Sequence, residues 1–282
     1  MQKVLILGNK GMLGSELMKE FEEYDVVGLD KDDVDISSEE RLRGAIMMHQ
    51  PEIIINSAAF TDVALAEEKP HVANEINGNA VGILAKLARE YSILLVHFST
   101  DFVFNGEHRD GYSEDSMPSP INAYGRSKLL GENLLLDEME LEREGLEEGK
   151  YFLIRTSYLF GKFGENIIKK FIKRLLSGQD VNAVSDQYIT LTYAKDLAKQ
   201  LRWLIESKEY ESGIYHITNE GELSFLNLAN FLKTQLGSTN EISELKLEEF
   251  ESNVKRPQYS VLQNNKIPAL RTWQEALADY LE

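Results

Sequence analysis

Near the amino terminus, Lys3-Val4-Leu5-Ile6-Leu7 is an almost unbroken apolar run that stops at Gly8-Asn9-Lys10-Gly11-Met12-Leu13-Gly14. A short run with apolar side chains on both faces reads as a strand inside a covered parallel sheet. Leu17, Met18 and Phe21 follow at helical spacing. Strand, glycine turn and helix in this order constrain the fold more than any other stretch, because parallel strands need helical crossovers. The glycines also have a chemical reading. They let the backbone approach a pyrophosphate at a helix N-terminus, with Met12 and Leu13 against the same ligand. The spacing G-x-x-G-x-x-G departs from the commoner G-x-G-x-x-G, and a ligand-free β–α turn is the competing reading.

The alternation continues. Val26-Val27-Gly28-Leu29 ends at Asp30, an acid placed to bond an adenosine ribose and so to favour NAD. Lys31 and Lys10 offer the opposite choice, a clamp for a 2′-phosphate, so both NADH and NADPH stay open. Asp35-Ile36-Ser37 leads into a capped helix over Glu39–His49. Ile53-Ile54-Ile55 forms a third buried strand, and Asn56, Ala58 and Ala59 at its end are small enough to lie close to a ligand. An irregular stretch from Phe60 to Pro70 and a long helix from Val72 to Tyr91 precede the fourth strand, Ile93 to Phe98, which delivers Thr100. The pattern predicts an α/β fold, a doubly wound parallel sheet. Gly8, Asp30, Asn56 and Thr100 all fall at strand carboxyl ends, where such sheets bind ligands.

After a proline-containing loop, Tyr124 and Lys128 share one face of a predicted helix. A lysine one turn away is expected to lower the phenol's pKa toward neutrality, so that it can exchange a proton with a substrate oxygen. Thr100 is expected to hydrogen-bond that oxygen. A second Tyr-x-x-x-Lys, Tyr158 and Lys162, follows a strand and enters a glycine loop, so the two side chains would not share a helix face.

Beyond Tyr151–Arg155, another strand, the alternation becomes mixed. This divides the chain into a dinucleotide-binding domain over 1–160, with later segments returning to it, and a smaller substrate lobe over 161–282. The dense acidic run from Asp137 to Lys150 reads as a solvated helix end and loop. A net charge of −17 argues against nucleic-acid or anionic-membrane partners. With no cysteine there is no thiol chemistry. The N-terminal apolar run is too short for a signal peptide, which predicts a cytoplasmic protein. No spacing singles out metal ligands, and His97, inside an apolar strand, reads as a core residue.

Taken together, the glycine turn, Ser99-Thr100-Asp101-Phe102-Val103-Phe104-Asn105-Gly106, Asn122–Lys128, Arg155–Gly161, Ser185-Asp186-Gln187 and Arg256–Ser260 resemble the extended short-chain dehydrogenase/reductases. Within them they resemble the dTDP-4-dehydrorhamnose reductase branch, over nearly the whole length. The resemblance implies Thr100, Tyr124 and Lys128 as the catalytic set. It places Gly8, Gly11, Gly14, Asp35 and Ile36 against the dinucleotide. It also implies a nucleotide-sugar substrate facing Thr61, Asp101, Phe102, Tyr158, Asn166, Asp186, Gln187 and Arg256, and leaves a homodimer and Mg²⁺ open. Sugar-nucleotide epimerases share the Tyr and Lys. A non-catalytic relative, resembling the regulatory subunit of methionine adenosyltransferase, is the reading from another class. The 4,6-dehydratases carry Glu where this chain has Phe102, which cannot move a proton. Ala64, Tyr158 and Tyr188–Thr192 depart from the branch's pattern near the expected sugar site.

Overall fold

The computed structural model describes residues 1–140, 149–207, 209–250 and 253–282. Numbered in chain order, β1 (Lys3–Leu7), β2 (Asp25–Leu29), β3 (Ile53–Asn56), β4 (Leu94–Thr100), β5 (Tyr151–Thr156) and β10 (Gly213–His216) form the central sheet. Its order is β10-β5-β4-β3-β1-β2, and every pairing is parallel. The apolar run in β1 is explained by its two covered faces. Val4 and Ile6 meet α1 (Met12–Glu20) and α8 (Ala194–Ser207) through Leu17, Phe21, Leu197 and Leu201. Leu5 and Leu7 meet α2 (Glu39–His49), α5 (Ala80–Glu90) and α6 (Ala123–Met139) through Leu42, Leu84 and Leu135. Each such aliphatic side chain contributes about 1.5–3 kcal/mol by leaving water.

The strand order reverses beside β1: the chain steps out to β2, then returns past β1 to β3 and on through β4 and β5. A crevice opens at such a point because the crossovers on either side diverge to opposite faces. That position, at the carboxyl ends of β1 and β3, holds the glycine turn.

Two elements differ from the sequence expectation. Within the stretch expected to be irregular, Val63–Glu68 is a helix, α3, started by Asp62, whose side chain accepts from the Leu65 N–H at 2.9 Å. A short α4 (Pro70–Asn74) follows, and the long helix predicted from Val72 is broken by a π turn at Glu75–Asn79 before α5. Asn77, 1% exposed, sits in that turn. Its amide accepts from the Phe60 N–H and donates to the Phe60 carbonyl and the Ser127 hydroxyl, tying the loop after β3 to α6. Of the acidic run from Asp137 to Lys150, residues 141–148 lie outside the described residues.

The later chain builds a second core. Here β6 (Leu159–Phe160) pairs with β9 (Thr192–Tyr193), and β7 (Val181–Val184) with β12 (Ile242–Leu245). In a third small sheet β8 (Tyr188–Ile189) lies between β11 (Leu223–Ser224) and β13 (Tyr259–Ser260). Against these pack α7 (Ile167–Leu176), α9 (Phe225–Gln235) and α10 (Trp273–Leu281), through Phe171, Leu228 and Trp273. Between them in sequence, α8 and β10 return to the first core. Among the described residues no helix is long and apolar enough to cross a membrane.

Candidate active site

A cleft of about 1080 Å³ opens over the carboxyl ends of the central strands. One end is the turn between β1 and α1. Gly8 adopts φ +77°, its N–H donates to the Leu29 carbonyl at 2.8 Å, and the Gly11 N–H donates to the Gly8 carbonyl at 3.0 Å. At Gly14 a Cβ would stand 2.1 Å from the Gly8 carbonyl oxygen, so only glycine lets α1 start so close to the strand. No side chain caps α1 at Gly11. Its first-turn N–H groups and positive dipole end therefore suit a phosphate, and the residues present fit a dinucleotide.

Met12 and Leu13 line this end. Farther out, Asp30 shares the wall with Lys10 and Lys31. The Asp30 carboxylate accepts from the Lys31 N–H at 2.8 Å, and the Lys10 ammonium lies 3.7 Å from Asp32. Asp35, also on the wall, takes the Ser37 N–H and O–H on one oxygen, which holds its carboxyl below the usual range. Ile36, Ala58 and Ala59 make the cleft apolar between these polar points. Asn56 does not line it. Buried at 1% exposure, it accepts from the Ala58 N–H and faces the His97 ring at 3.1 Å, bracing the loop from beneath. His97 is fully buried, and burial lowers its pKa well below the usual value.

Thr100 arrives on β4, while Tyr124 and Lys128 arrive on α6. Asn122 caps that helix by accepting from the Gly125 N–H at 2.8 Å, and Glu67 accepts from the Ala123 N–H at 2.6 Å. All three expected catalytic side chains line the cleft. Lys128, 2% exposed, donates to the Phe98 carbonyl at 2.5 Å. Burial lowers its pKa to about 8, opposed by Glu132 one turn further along. The Tyr124 hydroxyl is pushed up to about 12, first by burial and then by the Asp101 carboxylate, with the Thr100 side chain acting the other way.

This corrects the expectation that Lys128 brings the phenol toward neutrality. The ammonium is aimed at a backbone carbonyl, and the charge acting most on the phenol is negative. A phenol kept protonated is arranged to give a proton rather than to take one. Within the chain, the Thr100 hydroxyl donates to Asp101 Oδ1 at 2.9 Å and accepts from the Phe102 N–H at 3.2 Å.

The other wall carries five of the eight residues expected to face substrate. Phe102 stands edge-on to the rings of Tyr124 and Tyr158, at 5.8 and 6.0 Å. Tyr158 holds φ +32°, a left-handed conformation that is costly for a bulky side chain, and Gln187 donates to its hydroxyl at 3.3 Å, with the Arg256 cation nearby. Arg256, Thr61 and Asp101 line the cleft. Asn166, Asp186 and Gln187 do not. Asn166 caps α7 and donates to the Gly161 carbonyl; Asp186 accepts from the Leu247 N–H; Gln187 stands behind Tyr158 and donates to the Pro257 carbonyl. They support the wall from within the lobe. Ser157 and Ile76 line the cleft without having been singled out. Ser157 was legible in the run Arg155-Thr156-Ser157-Tyr158, whereas Ile76 comes from the π turn, which leaves no periodicity to read. Among the described residues no group of three or more His, Asp or Glu could hold a metal ion, so no ligand set for Mg²⁺ is found there.

A family model described as the RmlD substrate binding domain matches residues 1–282. The chain is 35% identical to the spore coat polysaccharide biosynthesis protein SpsK of Bacillus subtilis, covering 100% of this chain and 98% of that protein. It is 33% identical to a dTDP-4-keto-6-deoxy-D-glucose reductase of Streptomyces niveus, over 97% and 94% of the two chains. Among solved structures it superimposes with a TM-score of 0.91 on the dTDP-4-dehydrorhamnose reductase of Bacillus anthracis in complex with NADP, at 33% identity and over 100% and 99% of the chains.

Proposed function

The chain belongs to the RmlD substrate binding domain family, and from that premise we propose that it reduces the 4-keto group of a dTDP-linked deoxysugar such as dTDP-4-dehydrorhamnose. The observation that carries the reading is one cleft holding the Gly8–Gly14 cradle at one end and Thr100, Tyr124 and Lys128 at the strand ends. When bound, the nicotinamide dinucleotide supplies the hydride that reduces the carbonyl carbon. The chain supplies alignment and the proton. Tyr124, protonated at neutral pH, donates to the carbonyl oxygen as negative charge grows there. Lys128, one turn away and held on the Phe98 carbonyl, adds a buried cation to the lining of the same cleft. Arg256 offers a planar fork for the diphosphate, which a lysine would match less well. Phe102 removes any proton-moving side chain from its position, leaving reduction without elimination.

Asp30 serves the adenosine ribose, and Lys10 and Lys31 beside it accommodate a 2′-phosphate, so NADPH is accepted alongside NADH. Residues 1–160 carry mainly the dinucleotide and 161–282 mainly the sugar nucleotide, and the enzyme works in the cytoplasm. The test is a panel of dTDP-, UDP- and GDP-linked keto sugars run with each dinucleotide, following nicotinamide absorbance. A dTDP-4-keto sugar should drive oxidation. Tyr124→Phe should lower kcat/KM by about 10²–10⁴ while dinucleotide affinity stays within about twofold, since the phenol is proposed to act on the sugar carbonyl. Oxidation with no sugar in the panel, together with tight dinucleotide binding and a co-purifying second protein, would replace this reading with the non-catalytic one.

A further inference from the structure

We propose that the Asp101 carboxyl is a positioning residue that decides where the single proton of Thr100 points, and so whether Thr100 can act as a donor toward Tyr124 and the substrate oxygen. The inference deepens the reductase reading and rests on it. Asp101 follows Thr100 directly, opening the short 3₁₀ turn Asp101–Val103, and is 2% exposed. Its Oδ1 lies 2.9 Å from the Thr100 hydroxyl.

A threonine hydroxyl has one proton and two lone pairs. The Phe102 N–H occupies one lone pair. Asp101, at 2.9 Å, and Tyr124, near enough for Thr100 to act on its acidity, compete for the rest. While Asp101 is ionised it is an acceptor only, and its charge-assisted bond captures the Thr100 proton. Thr100 can then only accept from Tyr124, and has nothing to donate to a substrate oxygen or to a phenolate. Once Asp101 is neutral, its own O–H can donate across the same 2.9 Å. The Thr100 proton is released and turns toward the Tyr124 oxygen, where it stabilises the phenolate formed as Tyr124 gives its proton away. No covalent bond to Thr100 or Asp101 need break; only the donor direction reverses.

The surroundings make both states accessible. Burial pushes the carboxyl up to about 6, against the pull of the Ser260, Thr100 and Ser157 hydroxyls around it. Tyr124 faces it from α6 and Tyr158 from the segment after β5, and the carboxylate raises the pKa of each. Lys128 from α6 and Arg256 from the C-terminal segment line the same cleft, as do Lys10 and Lys31. Glu132 and Arg155 neutralise one another as a buried pair behind Lys128.

Two readouts on Asp101→Asn and Thr100→Val test this, after circular dichroism and dinucleotide binding show both variants folded. The first needs no turnover: the Asp101 carboxyl is titrated by infrared difference against Asp101→Asn. If Thr100 donates to the carboxylate, Thr100→Val removes a donor to the charged form and raises the midpoint by about one pH unit. A midpoint that stays or falls overturns the proposal. The second is kcat/KM for the keto sugar against pH. Wild type should lose at least about threefold as pH rises through the Asp101 ionisation. Asp101→Asn, whose amide N–H donates to Thr100 as the neutral acid does, should be level across that range. An Asp101→Asn enzyme that keeps the wild-type inflection, or is inactive at every pH, refutes it. Should wild type reduce no keto sugar at all, the reductase reading fails, and the carboxyl titration still decides the donor direction.

Discussion

Replacing Glu132 by Gln removes one member of an ion pair that water does not reach. The side chains of Arg155 and Glu132 are 3% and 1% exposed, and the guanidinium meets the carboxylate through three contacts of 2.7, 3.1 and 3.2 Å. The same guanidinium stacks on the Phe104 ring, 5.2 Å from its centroid, and so cannot swing out to solvent without uncovering that ring. Breaking such a pair from one side costs about 3–5 kcal/mol, chiefly because the remaining charge is left desolvated. A glutamine keeps one acceptor oxygen, and the Glu114 carbonyl already lies 3.4 Å from Arg155, which places the expected cost near the lower figure. At roughly 2–4 °C per kcal/mol for a chain of this size, about 3 kcal/mol is a fall in Tm of roughly 6–12 °C. Urea unfolding followed by the fluorescence of Trp203 and Trp273 measures it directly. The substitution also removes a charge that raises the Lys128 pKa, so the alkaline limb of activity should move toward lower pH. A loss below about 1 kcal/mol would refute the claim that this arginine is sealed from water. The double variant Glu132→Leu/Arg155→Met, which buries no charge, should recover most of the stability.

Gly14→Ala puts a methyl group into the Gly8 carbonyl oxygen and 2.8 Å from the Asn9 backbone. It should cost about 1–3 kcal/mol by overpacking and weaken dinucleotide binding more than tenfold by calorimetry, roughly 1.4 kcal/mol or more. Acid should destabilise the fold through His216. Burial lowers its folded-state pKa to about 3, below the unfolded value near 6.5. The unfolded chain therefore takes up the proton first. The contribution is fully present above about pH 6.5 and is lost as pH falls toward about 3, amounting to roughly 2–3 kcal/mol by about pH 4.5. His216→Gln should flatten the urea-derived stability profile over that window, and an unchanged slope would show that other groups govern it.

Much of this arrangement follows from local chemistry, and the sequence alone determined it. The apolar runs at 3–7, 53–55 and 93–98 must be covered on both faces, and the glycines after the first mark a turn that side chains cannot enter. The helical pattern after the proline-containing loop puts Tyr124 and Lys128 on one face. These features depend on neighbours within a few residues, where spacing and side-chain type suffice. Only the tertiary structure decided what each polar atom points at. Lys128 reaches back thirty positions to the Phe98 carbonyl, and Gln187 is held by Pro257 seventy positions on. Asn122 itself donates to the Lys255 carbonyl, 133 positions away, joining the start of α6 to the segment that carries Arg256. The phenol's acidity was misjudged from sequence for the same reason. A pKa is set by burial and by whichever charge lies nearest in space, and the carboxylate that raises Tyr124 comes from a different element, 23 positions earlier in the chain.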